Sequence, residues 1–284
     1  VYSDSIFSTT FAEIVKNIDY FAEFYRKNGI LVFEKLNASE EEQYEILSLL
    51  GDNLGFNPNS SNKNELKIWL RYEENHSKSL ELRNQFGPHP LDDEILIHWH
   101  LEHIENDVPQ VAAAWNMLKN NVSSPNNGST GFVSCSSENL STPDEYIDFL
   151  NRVEIKCTEN TGWEMGWDSS DRRAVITHEV TGKKIIRICP LGHVQTVVSF
   201  DSTEPTREHQ EMMNKINWWF LEKIWKDKSI QFWWEWSVGD LVIPDLTQMA
   251  HAVKTGFKHN QRNFVGYWAF GDGYEKRIKN PLNT

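Results

Sequence analysis

The sequence is poor in cysteine and in positive charge, and it has no long apolar run. Its three cysteines, Cys135, Cys157 and Cys189, are odd in number and far apart, and no CxxC pair occurs. That excludes a dense disulfide framework and a cysteine-type zinc site, and it suits a reducing compartment. Lys and Arg number 28 against 41 Asp and Glu, a formal charge of −13. A nucleic-acid partner draws most of its affinity from clustered cations, so none is expected. An anionic membrane surface is disfavoured for the same reason. No stretch approaches the roughly 18 consecutive apolar residues of a membrane-crossing helix. The opening residues, VYSDSIFSTTFAEIV, lack the basic-then-apolar layout of a secretory signal. A cytoplasmic placement is expected.

What is present fits a globular chain with a sizeable core. Hydrophobic residues make up 39% and charged residues 24% of 284 residues, which argues against wholesale disorder. There are twelve tryptophans, six of them between Trp218 and Trp236. Tryptophan usually signals large buried area, so a Trp-rich core is favoured over a ligand-stacking surface. Polar turn-forming stretches at residues 57–64 and 123–129 are too short to demand a domain boundary. A single domain over 1–284 is expected, with 1–93 forming a helix, strand, helix support and loop, and 94–284 the core.

Apolar residues at helical spacing predict a helix over residues 11–27, stopped by Asn28-Gly29. Residues 30–33 (ILVF) read as a short buried strand. Ser39 with Glu42 forms a capping box before a helix over 40–50, with Gly51 and Gly55 at its end. From residue 94 onward short apolar runs recur between turn signals, at 95–100, 111–117, 131–135, 174–177, 184–189, 194–200, 231–236, 240–243 and 263–270. Such spacing suggests a β-sandwich or barrel. Two helices interrupt it, one over 142–153 with Pro143 at its first helical position, the other over 208–226. The expectation is mainly β, with helices on the outside.

The strongest chemical signal is IHWHLEH, residues 97–103. On a strand, residues two apart share a face. His98, His100 and Glu102 then face one way, and Trp99, Leu101 and His103 the other. An imidazole and a carboxylate side by side can bind a divalent metal, but they leave it short of ligands. One further His would complete a 2-His-1-carboxylate triad with three open positions, as in non-haem Fe(II) oxygenases. A second signal is GDLVIPDLTQMAH, residues 239–251, which ends on a His at the start of a strand. Eleven residues later comes Arg262. An Arg facing a β-sheet interior is costly unless it pairs with an anion, and its planar fork suits a carboxylate. A third is Asn127-Gly128-Ser129-Thr130, a turn that delivers a Thr onto a strand. Each signal taken alone also fits an ordinary polar strand, a solvent-facing Arg or a plain turn.

The order of these motifs resembles the Fe(II)/2-oxoglutarate-dependent oxygenases of the taurine dioxygenase-like (TauD/TfdA) family: HxE, a Gly-x-Thr turn, Gly-Asp…His, then Arg eleven residues on. The opening RKNGILVFEKLNASEEEQYEIL is similar to that family's start, and THEVTGKKIIRI, residues 177–188, to its His-Pro-x-Thr-Gly-Arg strand pair. The likeness spans roughly residues 15–270. It implies a double-stranded β-helix (jelly roll, cupin-like) flanked by helices. It implies His100, Glu102 and His251 as the metal ligands and catalytic centre, and Arg262 with Thr130 as the clamp for 2-oxoglutarate. It implies Fe(II), 2-oxoglutarate as co-substrate and O2, with a small-molecule substrate hydroxylated at an unactivated C–H bond while succinate and CO2 are released. His98 and Asn116 are candidate substrate contacts. His103 reads as structural.

Three departures from the family pattern shape the substrate expectation. Glu102 stands where the family usually has Asp. Glu occurs in relatives resembling asparagine and arginine oxygenases and clavaminate synthase, which slightly favours an amino acid or its derivative. The retained carboxylate argues against a halogenase. Gly266 stands where sulfonate- and phenoxyacetate-type members carry a second Arg, which weakens the case for a strongly anionic substrate. Pro244, Leu246 and Thr247 replace the Trp and Asn-Arg of the loop before the distal His, while Asp245 remains. The same iron centre driving desaturation or cyclisation is an alternative outcome. A Trp-rich β-sandwich that binds carbohydrate or a small molecule without metal is an alternative of another class. Homo-oligomers occur among such enzymes.

Overall fold

The computed structural model describes residues 3–56, 67–70, 95–101, 110–124, 126–158, 173–178, 181–188, 194–257 and 261–270. In chain order its strands and helices are β1 (Ile6–Phe7), α1 (Phe11–Lys16), α2 (Ile18–Asn28), β2 (Ile30–Phe33), α3 (Glu40–Leu54), β3 (Lys67–Leu70), β4 (Ile95–His100) and β5 (Gln110–Asn120). There follow β6 (Thr130–Ser134), α4 (Asp144–Leu150), β7 (Val153–Thr158), β8 (Val175–Thr177), β9 (Lys184–Ile186) and β10 (Val194–Phe200). The last are α5 (Arg207–Lys226), β11 (Phe232–Trp234), β12 (Leu241–Pro244), β13 (Met249–Lys254) and β14 (Arg262–Phe270).

Two sheets carry the architecture. A six-stranded sheet runs β1-β2-β12-β5-β14-β3, and a four-stranded sheet runs β11-β6-β13-β4. β5–β14 and β13–β6 are antiparallel pairs of strands far apart in sequence. The two inner faces meet in a cluster that includes Val32, Ala113, Trp115, Met117, Phe132, Trp236, Met249 and Phe264. Trp115 and Phe132, from opposite sheets, stack at 6.1 Å between ring centroids. This is the double-stranded β-helix core expected from the sequence.

Helices cover the other face of the six-stranded sheet. Leu31, Phe33, Ala112, Ala114, Leu241, Val265 and Tyr267 alternate with the inner residues and pack with Phe21, Tyr25, Ile46 and Leu50 of the helices. Period-2 alternation thus buries both faces, one against sheet and one against helix. Gln43 of α3 donates its Nε2 to the carbonyls of Ala114 (2.7 Å) and Val265 (3.0 Å), which pins that helix onto β5 and β14. Tyr25 of α2 donates its hydroxyl to the Pro244 carbonyl at the end of β12.

Local chemistry sets the helix ends. The Ser39/Glu42 capping box opens α3, and Gly29 in the left-handed region (φ 76°) closes α2. Several boundaries differ from expectation, among them the end of α4, which stops at Leu150 so that Val153 begins β7. The first helix breaks in two at Asn17, whose side chain donates to the Glu13 carbonyl and competes with helix continuation. Pro143 is the N-cap of α4, not its first helical residue. Helix α3 runs through Gly51 and stops only at Gly55 (φ 78°). Among the described residues no helix is long and apolar enough to cross a membrane.

Candidate functional site

Two imidazoles meet on the inner face of the four-stranded sheet. β13 lies between β4 and β6, with His251 opposite His100 on one side and Phe132 on the other. Directly opposed residues of an antiparallel pair project to the same face. The His100 and His251 rings stand 4.1 Å apart, tilted by 53°. Trp115 crosses from the facing sheet to within 5.1 Å of the His251 ring. His251 is 6% exposed. The neighbours of His100 turn the other way: Trp99 and Leu101 are buried in the outer core, and Trp99 packs edge-on against Trp233 at 5.3 Å. The expected alternation along residues 99–101 is therefore observed. Glu102, His103 and the His98 side chain lie outside the described residues.

A second group forms further along the same interior. Thr130 faces Val253 of β13 and is two residues from Phe132, so it shares the face of His251. Two residues along a strand span about 7 Å, the reach of a five-carbon diacid. Thr130 is 4% exposed, and its Oγ1 accepts a hydrogen bond from Trp236 Nε1 at 2.8 Å. The Trp236 ring meets Phe264 edge-on at 4.6 Å. The guanidinium of buried Arg262 lies over Phe264 (4.6 Å) and Phe257 (4.8 Å). Gly128 makes room for it. A Cβ there would sit 2.6 Å from Arg262 Cδ and 2.8 Å from its Nη1. A chain of contacts thus runs from Arg262 to Phe264, from Phe264 to Trp236 and from Trp236 to Thr130.

The loop entering β13 is held by a buried carboxylate. Asp245 Oδ1 accepts from the Thr247 amide and hydroxyl, and Oδ2 accepts from Gln248 Nε2 at 2.8 Å. His178 Nε2 is 3.9 Å from Oδ2, while its Nδ1 accepts from the Thr181 amide at 3.3 Å. Asp245 and His178 are both buried. This network ties the β8–β9 hairpin to the turn that leads into β13, whose first residue, Met249, is two ahead of His251. Upstream, Asp240 accepts from the amides of Lys35 and Ser237. Burial raises its carboxyl above the ordinary value even so. Burial also pushes the Cys135 thiol up to about 12, so it is a packed core group and not a nucleophile.

One sequence expectation is corrected here, and one alternative is disfavoured. Asn116 is not with the imidazoles: it is on the helix-facing side of β5, where its Nδ2 donates to the Ala38 carbonyl at 2.8 Å. Its neighbour Trp115 is the residue that reaches His251. The binding-module alternative needs the tryptophans of residues 233–236 exposed, but Trp234 and Trp236 are buried and Trp233 packs against Trp99. The sequence reading missed Trp115, Trp236, Phe257 and Phe264 at the site. Tryptophan abundance pointed to a core, and nothing in the composition separates a core indole from one holding a hydroxyl.

The comparisons with known proteins agree with this fold. A taurine dioxygenase from Burkholderia xenovorans superposes with a TM-score of 0.60 at 12% identity, covering 95% of this chain and 84% of that one. The structure of AAD-2 in complex with Mn(II) and N-oxalylglycine gives 0.57 at 16% identity, covering 90% and 87%. At such identities the likeness shows the fold. No curated protein matches the chain. The model of the taurine catabolism dioxygenase TauD, TfdA family matches residues 9–268, nearly the whole sequence, and the chain belongs to that family of Fe(II)- and 2-oxoglutarate-dependent dioxygenases.

Proposed function

We propose that this dioxygenase hydroxylates an unactivated C–H bond of a small polar metabolite, a free amino acid or its derivative, with His100, Glu102 and His251 holding Fe(II). In the same reading Arg262 and Thr130 hold the distal carboxylate of 2-oxoglutarate. The observation that carries it is the 4.1 Å approach of the His100 and His251 rings on one inner face, with a buried Arg and Thr further along the same interior. The donor set fits the groups. Two imidazoles on neighbouring strands suit a divalent transition metal, and a planar cation beside a hydroxyl suits a carboxylate.

Fe(II) with 2-oxoglutarate and O2 supplies the oxidising power, and 2-oxoglutarate leaves as succinate and CO2 while one oxygen atom enters the substrate. The chain's own residues bind, orient and exclude water. His251 is fixed between Trp115, Phe132 and His100. Asp245 sets the start of the strand that carries it. Phe132, Phe264 and Trp115 keep the interior apolar, so the charge of Arg262 is poorly screened and acts strongly on an incoming carboxylate. On the six-stranded sheet Gly266 is opposite Trp115. Gly266 itself offers no cation to a substrate, which supports a substrate without a strongly anionic group.

Anaerobic addition of Fe(II) and 2-oxoglutarate to the metal-free protein should raise a visible charge-transfer band that His251→Ala abolishes. A panel of amino acids and derivatives, scored by succinate release, then finds the substrate. No band in the wild-type protein would sink the assignment of these ligands. A band with stimulation only by sulfonates or aryloxyacetates would sink the substrate class.

A further inference from the structure

We propose that Trp236 is a positioning residue for 2-oxoglutarate: its indole N–H holds the Thr130 hydroxyl as an acceptor, so that the hydroxyl proton is directed at the distal carboxylate of the bound diacid. This rests on the reading above that Arg262 and Thr130 hold that carboxylate. A threonine hydroxyl has one proton and two lone pairs. The N–H of Trp236, 2.8 Å away, occupies a lone pair. An indole nitrogen accepts nothing in return, so the hydroxyl proton must point elsewhere. Thr130 and Trp236 are 4% and 5% exposed, and among the described residues no acceptor takes that proton. A buried donor left in this position is costly until an acceptor completes it, and near the Arg262 guanidinium a carboxylate oxygen suits that role.

The indole is itself held on several sides. Its backbone carbonyl accepts from the Asn120 side chain, and Asn120 is the register partner of Arg262. Its ring lies edge-on to Phe264, the same ring that the Arg262 guanidinium covers. Trp236, Thr130 and Arg262 thus form one unit, and a shift of the indole moves both carboxylate-binding groups. A residue that only filled space there would act on folding, with no preference for one end of the ligand.

The test uses the full chain with Mn(II) and no oxygen, titrated calorimetrically with 2-oxoglutarate and with 2-oxobutyrate, which lacks the distal carboxylate. Trp236→Phe should weaken 2-oxoglutarate about fivefold to tenfold, as expected for one lost hydrogen bond. It should leave 2-oxobutyrate and Mn(II) binding within twofold. In a Thr130→Val background the same change should add nothing, because the bond is already gone. Equal binding of 2-oxoglutarate by wild type and Trp236→Phe overturns the proposal. So does additivity in the double variant, or an equal loss for both oxoacids. Should Trp236→Phe be partly unfolded, the ratio of the two oxoacid affinities still decides, because it does not depend on the folded fraction. If Arg262→Ala and Thr130→Val also bind 2-oxoglutarate as wild type does, the underlying clamp assignment fails. If those two weaken it and Trp236→Phe does not, only the role of Trp236 fails.

Discussion

Gly128→Ala isolates the proposed clamp from the proposed metal centre. The residue sits at φ +67°, and an added Cβ would meet Arg262 Cδ at 2.6 Å, Nη1 at 2.8 Å and Phe257 Cδ1 at 2.9 Å. Two costs follow. The left-handed backbone with a Cβ costs about 1–2 kcal/mol, which lowers the melting temperature by a few degrees in a chain of this size. The second cost falls on binding. The guanidinium must move off its shelf on Phe257 and Phe264, and a displaced charge-assisted contact is worth about 1.5–3 kcal/mol. That corresponds to roughly 10- to 150-fold weaker 2-oxoglutarate. Gly182→Ala is the control, since its φ is +66° and nothing lies within 4 Å of the added Cβ. It should show the thermal loss and unchanged 2-oxoglutarate affinity, read from anaerobic titration of the charge-transfer band. Wild-type affinity in Gly128→Ala, or an equal affinity loss in Gly182→Ala, would refute the placement of Arg262 as the clamp.

Other outcomes follow from the same geometry. Asp245→Asn puts an amide where Oδ1 and Oδ2 accept from Thr247 and Gln248; a buried mispaired group costs about 1–3 kcal/mol, so the melting temperature should fall and Fe(II) affinity with it, measured by calorimetry and metal titration. Cys135, with its thiol pushed up to about 12 by burial, should resist alkylation at pH 8 in a Cys157→Ser, Cys189→Ser background and react only after denaturation, as seen by mass spectrometry. Asp227, lowered to about 2 chiefly by its hydrogen bond to Lys223, has a folded value below its unfolded one. Its stabilisation is complete above the ordinary value of 3.8 and disappears as pH falls through about 2, so the melting difference between wild type and Asp227→Asn should close over that range. Mn(II) with 2-oxoglutarate at a hundredfold excess over Kd should stabilise the fold by about 2.7 kcal/mol, an upward thermal shift that a chelator reverses.

Much of this was legible in the chain. Ser39 with Glu42, Asn28-Gly29 and the strand over 95–100 appear as expected because each rests on a local rule that no tertiary contact opposes. The facing of His100 was legible because Trp99 and Leu101 flank it with large apolar groups. β5 was not readable in this way. Ala112, Ala113 and Ala114 are all buried, since one face meets helices and the other meets a sheet, so hydrophobicity does not say which face holds the chemistry. Asn116 was placed on the wrong side for that reason. Trp236 escaped notice because its proposed role depends on a hydrogen bond to Thr130, 106 residues earlier in the chain.

The most direct measurement is an anomalous-difference map from crystals grown anaerobically with Mn(II) and 2-oxoglutarate. One peak should lie within bonding distance of the His100, Glu102 and His251 side chains, with the diacid running from it to the Arg262 guanidinium and the Thr130 hydroxyl. A peak bound elsewhere, or a diacid whose far end turns away from Arg262, would contradict the account.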